Sequence, residues 1–180
     1  DLNTAVEALT TSVNQFNLTA EDTPRIIDSI AAGAKFGAAE ARDQAEAYRE
    51  AGTAASNANI DFEELNAATQ ILAQNGIKGS RAGVALRNIF VRLQTRADKL
   101  AKHGIENLDI RNQSMAETLR DLKPLIGDTA AITEIFGERA QAMASILVSN
   151  VDAFEDMNEK TRRQGIVTEQ VRKQLDTYQG

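Results

Sequence analysis

The sequence contains no cysteine and no tryptophan, only two prolines, and a single histidine, His103. Without cysteine, a disulfide framework and a thiolate zinc site are both excluded. With one histidine and no cysteine, the common Ser-His and Cys-His arrangements that activate a nucleophile have little to build on. There is no HExxH pattern and no apolar run of the roughly 18 residues that a membrane span needs. We therefore predict no cofactor, no metal site and no membrane contact from this segment, and we interpret His103 as a helix-end or surface residue.

Alanine is abundant instead, with 29 of the 180 residues. Alanine favours helices but buries little area, which predicts thin contacts between helices. Glycines, among them Gly33, Gly37 and Gly52, interrupt the helical pattern and are expected at helix ends. We predict an all-α fold, a compact bundle of roughly eight to ten short helices joined by Gly-containing turns. Residues 1–160 are predicted to form this domain, and residues 161–180 a C-terminal helix leading to an extended region of a longer parent chain.

The most informative stretch begins at Asp61 and predicts a helix with a defined start and end. Asp61 is a good N-cap, and Glu64 lies three residues later, in the position of a capping box. Asn75 and Gly76 end this helix, since glycine fits the left-handed position after a C-cap without a steric penalty. Ile77 then takes the position of the residue that closes a Schellman motif.

A second helix follows after a turn at Gly79. Ser80 is predicted to cap this helix, which continues to about His103. Gly83 lies near its start, where a glycine costs roughly 1 kcal/mol relative to alanine. A close approach of another backbone would explain that cost, so we predict a tight antiparallel hairpin with Gly83 at the crossing point.

Charge is distributed unevenly along the chain, whose net charge is −6. Residues 1–77 carry a net charge of −8, residues 78–103 of +6 and residues 104–180 of −4. Five cations of the basic segment share one helical face: Arg81, Arg92, Arg96, Lys99 and Lys102. This basic face either balances the acidic helices around it and remains solvated, or it binds another protein or DNA. The negative net charge argues against general nucleic-acid binding, so a DNA contact has no other support.

Three motifs resemble a known family. The first comprises NGIKGS at residues 75–80 followed by Ala82, Gly83, Leu86 and Arg87. It resembles the core region of phage tail tape measure proteins, in which an alanine- and leucine-rich helix runs into such a segment. Residues 14–35 resemble the opening of that region, and Phe136–Gly137, followed by an Ala/Leu helix, resembles a later joint. The chain departs from the family at residues 106–115, where an acidic turn with glycine is usual and no glycine is present.

The resemblance implies a structural component of a phage or prophage tail, the folded core region of a tape measure protein that templates tail length and assembly. It implies action by protein–protein binding rather than catalysis. The implied partners are the tail tube protein, tail assembly chaperones and further copies of the chain, which would self-associate. The implied location is the virion tail, in the tube interior or at the tip, and the host cytoplasm during assembly.

Two other functions compete with this interpretation: a helical adaptor of a bacterial protein unrelated to tails, and a fragment of a cell-wall hydrolase. A hydrolase of the glycosidase type would need two carboxylates flanking its substrate. The sequence offers three groups of acids: Glu63/Glu64, Asp121/Asp128 and Asp152/Glu155/Asp156/Glu159. Because each group lies on a predicted helix or at a helix end, solvated faces and caps are the preferred interpretation.

Overall fold

A computed structural model describes the backbone of residues 2–179 and the side chains of residues 3–177, so Asp1 and Gly180 lie outside the described residues. This part of the chain contains eleven α-helices, ten of them with at least seven residues, and no strand, which confirms the all-α prediction. The helices are α1 Leu2–Gln15, α2 Thr23–Phe36, α3 Ala41–Asn57, α4 Phe62–Gln74, α5 Gly79–Thr95, α6 Ala97–Lys102, α7 Met115–Asp121, α8 Thr129–Phe136, α9 Gln141–Ser149, α10 Val151–Thr161 and α11 Ile166–Gln179. Short 3₁₀ helices lie at Ala20–Asp22, Ile110–Asn112 and Lys123–Leu125. None of the helices in residues 2–179 is long and apolar enough to cross a membrane.

Helix α4 lies at the centre of the bundle, where α2, α3, α5, α9 and α10 pack around it. Every side chain from Phe62 to Ala73 is buried, including its polar ones. The Phe62 ring makes edge-on contacts with Tyr48 and Phe16, at centroid distances of 4.9 and 5.8 Å. A helix covered on all sides has no solvated face, so the spacing of its apolar residues marks only part of its buried surface.

The start of α4 confirms the predicted capping box. The Asp61 carboxylate accepts a hydrogen bond from the Glu64 N–H at 2.9 Å, and the Glu64 carboxylate accepts one from the Asp61 N–H at 3.2 Å. Glu64 also accepts a bond from the backbone N–H of Met115 at 2.8 Å. The cap therefore holds the start of α7 as well as the start of α4.

The end of α4 confirms the predicted Schellman motif. Asn75 is the C-cap, and Gly76 has a φ of 80°, in the left-handed region. The Ile77 N–H donates to the Leu72 carbonyl at 3.0 Å, and the Gly76 N–H donates to the Ala73 carbonyl at 3.0 Å. These two bonds satisfy carbonyls that the end of a helix leaves without intrahelical partners.

The next helix differs from the prediction at both of its ends. Lys78, not Ser80, occupies the N-cap position, and the Ser80 hydroxyl lies 3.5 Å from the Glu50 carboxylate. Gly79, predicted in the turn, is instead the first residue of the helix, and its φ of 60° is in the left-handed region. The helix ends before Arg96, whose φ of −115° and ψ of 33° separate α5 from α6. The predicted single helix to His103 is therefore wrong, because the bend turns α6 towards α8.

Gly83 lies at a close helix crossing, but its partner is α3 rather than α4. A methyl group at Gly83 would lie 2.6 Å from the Ala47 carbonyl oxygen and 2.9 Å from the Ala47 Cα. Arg87, one turn further along α5, binds Glu50 of α3 with an N–O distance of 3.0 Å. The tight hairpin of α4 and α5 was a wrong prediction, because α5 packs along α3 instead.

Gly33 and Gly52 do not end helices, which corrects a second prediction. They lie inside α2 and α3, respectively, whereas Gly37 does follow the last residue of α2. A methyl group at Gly52 would overlap the side-chain amide of Gln15 from α1. One at Gly33 would lie 2.8 Å from the side-chain oxygen of Asn66. Both glycines therefore serve helix packing.

A buried polar network ties the connection between α2 and α3 to α4. The Gln70 side-chain oxygen accepts hydrogen bonds from the backbone N–H groups of Ala38 and Ala39, at 2.9 and 2.8 Å. Asn66, one turn earlier on α4, donates to the Ser29 carbonyl of α2 at 2.7 Å. The side chains of Ser29, Asn66 and Gln70 are fully buried. Because the connection (residues 37–40) has no apolar side chain larger than alanine, these bonds hold it in place.

Helix α11 is anchored by its first turn. The Asp28 carboxylate of α2 accepts hydrogen bonds from the backbone N–H groups of Gly165 and Val167, at 2.9 and 3.1 Å. Further along α11, Val171 and Leu175 are 49% and 56% exposed. The proposed division of the chain at residue 160, and an extended region beyond α11, stay predictions.

Candidate functional site

The residues of the predicted basic face differ in their surroundings: some form ion pairs within the fold, and others line open grooves. At its C-terminal end, Lys99 and Lys102 reach across to Glu134 of α8, with N–O distances of 3.3 and 2.9 Å. The His103 ring nitrogen lies 2.8 Å from the other oxygen of the same carboxylate. This part of the basic face balances an acidic residue within the fold, as the first of the two interpretations expected. It joins α6 to α8.

The cluster around Glu134 predicts an acid-sensitive contribution to stability. Hydrogen bonds from Lys102, His103 and Lys99 lower the pKa of Glu134 from 4.5 to about 2. Since the pKa is lower in the folded chain, the contribution is complete above pH 4.5 and is lost as the pH falls through about 2. Replacing Glu134→Gln should therefore flatten the fall in urea midpoint across this pH range. The neighbouring exposed carboxylate gives a control, because Glu138→Gln should leave the wild-type fall in place; an equal fall in all three proteins would contradict the assignment.

Arg92 connects the middle of the basic face to the second predicted joint. Its guanidinium lies over Gly137, where an added methyl group would come within 3.2 Å of the guanidinium, and it donates a long 3.5 Å hydrogen bond to the Ile135 carbonyl. Gly137 has a φ of 81°, and its N–H donates to the Thr133 carbonyl at 2.8 Å. Phe136, just before it, is buried. The joint thus ends α8 against α5.

Arg81 and Arg96, the remaining members of the basic face, line open grooves on the outer side of α5. The grooves have volumes of 660 and 300 Å³ and share Asn88. Arg139, from the turn between α8 and α9, also lines the larger groove. Val91 lines the smaller groove and is 44% exposed. The structure therefore places three arginines and an apolar side chain on one solvent-facing surface.

The sequence analysis missed two features of the structure: Arg139 as a member of this surface, and the buried side-chain amides of α4. Arg139 follows the second joint and belongs to a different helical segment, so no spacing rule connects it to Arg81. The buried amides of Gln70 and Asn66 were also missed, since a polar residue on a helix is normally expected to face water. The sequence does contain one signal of their burial, since both residues stand among the apolar residues of α4.

Of the acidic pair Glu63/Glu64, Glu64 is a cap as predicted, but Glu63 is neither on a solvated face nor a cap, which corrects the prediction for that residue. Glu63 is only 1% exposed and forms an ion pair with Arg25, and its second oxygen lies 3.9 Å from Arg162. Glu64 is the cap described above, and burial raises the pKa of its carboxyl group. Asp128, by contrast, is a cap as predicted, because it accepts a 3.0 Å bond from the Ala131 N–H. Both glutamates therefore make contacts that hold helices together.

The comparison with known families decides the identity of the chain. Residues 1–179 match the family described as phage-related minor tail protein. The chain belongs to this family. It is also similar to the tape measure protein of Pneumococcus phage Dp-1, with 30% identity over 138 residues, or 74% of this chain. No solved structure matches the sequence.

Membership of the minor tail protein family confirms the resemblance to tape measure proteins and implies a location in the virion tail. The family consists of tail structural proteins that are typically non-catalytic, although tape measures can carry hydrolase domains. It gives no support to an adaptor unrelated to tails. The chain spans about an eighth of the Dp-1 protein, since the match covers 12% of that protein's length.

Proposed function

We propose that this chain is the folded core region of a tape measure protein, which templates tail length and assembly by binding other proteins. The observation that carries the proposal is the compact fold of a segment that is similar to a tape measure protein. A single helix of 180 residues would reach about 270 Å at 1.5 Å per residue. The longest helices in residues 2–179 have 17 residues, so this segment folds back on itself instead of measuring length. Length is then set by other parts of the parent chain.

In this role the domain provides surfaces for assembly. The proposed partners are the tail tube protein, tail assembly chaperones and other copies of the chain, and the proposed location is the tube interior or the tip, preceded by the host cytoplasm during assembly. Support comes from exposed side chains that the fold leaves available, among them Val91 on α5 and Val171 and Leu175 on α11. A contact with DNA has no comparable support, since the net charge is −6.

The proposal predicts that tail length does not depend on this domain in the way that it depends on a helical ruler. In the parent phage, an in-frame deletion of these 180 residues should block tail assembly or yield tails shortened by much less than about 270 Å. A deletion of equal size in an uninterrupted helical region of the same chain is the control, and it should shorten tails by about that full amount. Electron microscopy of purified tails measures both. Tails that shorten equally in the two deletions would contradict the proposal.

A further inference from the structure

An arginine groove runs along the outer side of α5, and three of its arginines have no carboxylate partner among the described side chains. We define it by Arg81, Val84 and Val91 of α5, Arg96 of the bend after α5, and Arg139 of the α8–α9 turn. Within residues 3–177, none of the three arginines has a carboxylate oxygen within 4.0 Å, whereas Arg87 on the same helix is paired with Glu50. None of the described side chains that line the groove is acidic. The positive charge of Arg81, Arg96 and Arg139 is therefore not balanced by an ion pair within the described part of the chain.

The groove combines this charge with an apolar floor. Val84 is partly buried and Val91 is exposed, and both lie between the charged ends formed by Arg81 and Arg96. Interfaces between proteins commonly have an apolar centre with charged residues at the rim, and arginine is enriched in them. A helix that carries carboxylates around a small side chain has the matching chemistry.

Helix α10 of the same chain has such a face. Asp152, Asp156 and Glu159 are exposed on α10 at helical spacing, and we call them the acidic face. The exposed Ala153 lies beside them, while Phe154 and Met157 point into the core. Asp156 pairs with Lys160 of its own helix at 2.8 Å. Asp152 and Glu159 have no cation within ion-pair distance among the described side chains.

One copy of the chain does not bring these two surfaces together. Both helices contact α4, but α10 packs mainly against α4 and α2, whereas α5 packs mainly against α3 and has smaller contacts with α4, α8 and α9. Both surfaces face solvent. We propose that the arginine groove of one copy binds the acidic face of α10 of a second copy, head to tail. This inference rests on the proposed assembly role and gives that role a defined surface. In this head-to-tail arrangement each copy uses its groove on one neighbour and its acidic face on another, so repetition of the contact builds a ring or an open filament.

The test uses charge reversal on each surface. The groove variant is Arg81→Glu/Arg96→Glu/Arg139→Glu, and the face variant is Asp152→Lys/Asp156→Lys/Glu159→Lys. Analytical ultracentrifugation of the wild-type chain should show self-association that weakens as the ionic strength is raised. Each variant alone should need an about tenfold or higher concentration to associate, because like charges then meet at the contact. Circular dichroism checks that both variants remain folded.

Recombination of the two variants distinguishes a direct contact from general loss of association. An equimolar mixture of the groove variant and the face variant should associate again, since each reversed surface then meets an opposite charge. A chain that carries all six reversals should also self-associate. The inference is overturned if the wild-type chain stays monomeric at every concentration, if either reversal has no effect, or if the mixture stays dissociated.

A nucleic-acid partner is the competing outcome for the groove. If wild-type chain binds a double-stranded DNA fragment, loses that binding in the groove variant and never self-associates, the groove serves DNA and the inference is wrong. None of these outcomes changes the length of tails from the deletion experiment. The failure of the head-to-tail contact can thus be separated from the failure of the proposed function.

Discussion

Replacing Gly83→Val is expected to lower the free energy of unfolding by about 3 kcal/mol or more, at the upper end of the range for overpacked sites. The added Cβ would lie 2.6 Å from the Ala47 carbonyl oxygen, 2.7 Å from the Glu50 Cβ and 2.9 Å from the Ala47 Cα. Two of these three atoms belong to the backbone of α3 and cannot move without displacing the helix. The substitution therefore forces α5 away from α3 along the whole contact. Urea denaturation followed by circular dichroism measures the loss.

A matched substitution separates packing from helix propensity. Gln94 is exposed on the same helix and donates only to the carbonyl of Phe90 in its own helix. Gln94→Ala should change the free energy of unfolding by less than about 0.5 kcal/mol, as is usual for surface positions. Gly83→Ala should lie between Gly83→Val and Gln94→Ala, because the alanine gains helix propensity but meets the same backbone atoms. Stabilisation by Gly83→Ala would show that the helices are not in close contact at this position.

Replacing Gln70→Leu is expected to lower the free energy of unfolding by about 3 kcal/mol, although leucine has nearly the same size. The substitution removes the acceptor for the N–H groups of Ala38 and Ala39 and a donor to Asn66 at 3.4 Å. Each buried group left without a partner costs about 1–3 kcal/mol, and the gain from a more apolar side chain offsets part of that sum. Hydrogen exchange should also show that the amides of the α2–α3 connection lose protection.

Gln74 on the same helix provides the control for Gln70. It lies one turn further along α4 and is exposed, so Gln74→Leu changes the same chemical group without affecting a buried donor. This control should remain within about 0.5 kcal/mol of wild type. Equal effects at the two glutamines, or increased stability of Gln70→Leu, would mean that the network does not hold the connection.

The helix ends could be predicted from the sequence because local chemistry decides them. Asp61, Gly76 and Asp128 each satisfy backbone groups within four residues of their own positions. No partner from a distant segment is needed for a cap or a Schellman motif. The same reasoning holds for Ser114, whose hydroxyl accepts a bond from the Glu117 N–H at 3.1 Å.

The pairing of helices could not be predicted in the same way. Gly83 signals a close approach but does not say which helix approaches, and the nearest helix in sequence was the wrong choice. Gly52 is of a residue type that often ends a helix, but it lies inside α3. The Gln15 side chain from α1 occupies the space that a Cβ at this position would take. The bend at Arg96 has no glycine or proline to mark it. In each case the deciding contact comes from a distant part of the chain.

The same division applies to the candidate surface. The helical spacing of Arg81, Arg92 and Arg96 follows from the sequence, since Arg81 and Arg92 lie on one face of α5 and Arg96 follows one turn later, at the bend. The fold then gives them different contacts, because Arg81 lines the larger groove, whereas Arg92 lines the smaller groove beside Arg96 and also contacts the joint at Gly137. Charge balance within the fold is thus shown for Lys99 and Lys102, which pair with Glu134. Partner binding by the other members of the basic face stays a prediction.

Small-angle X-ray scattering of the 180-residue chain, extrapolated to zero concentration at high ionic strength, tests the compact fold most directly. For a compact domain of this length the radius of gyration should be about 16 Å. A continuous helical rod of about 270 Å would give roughly 80 Å from its 1.5 Å rise per residue. The smaller value is predicted, since the glycine-containing joints fold the helices around α4. A value near that of the rod would contradict the fold and remove the basis for assigning the measurement of length to other parts of the parent chain.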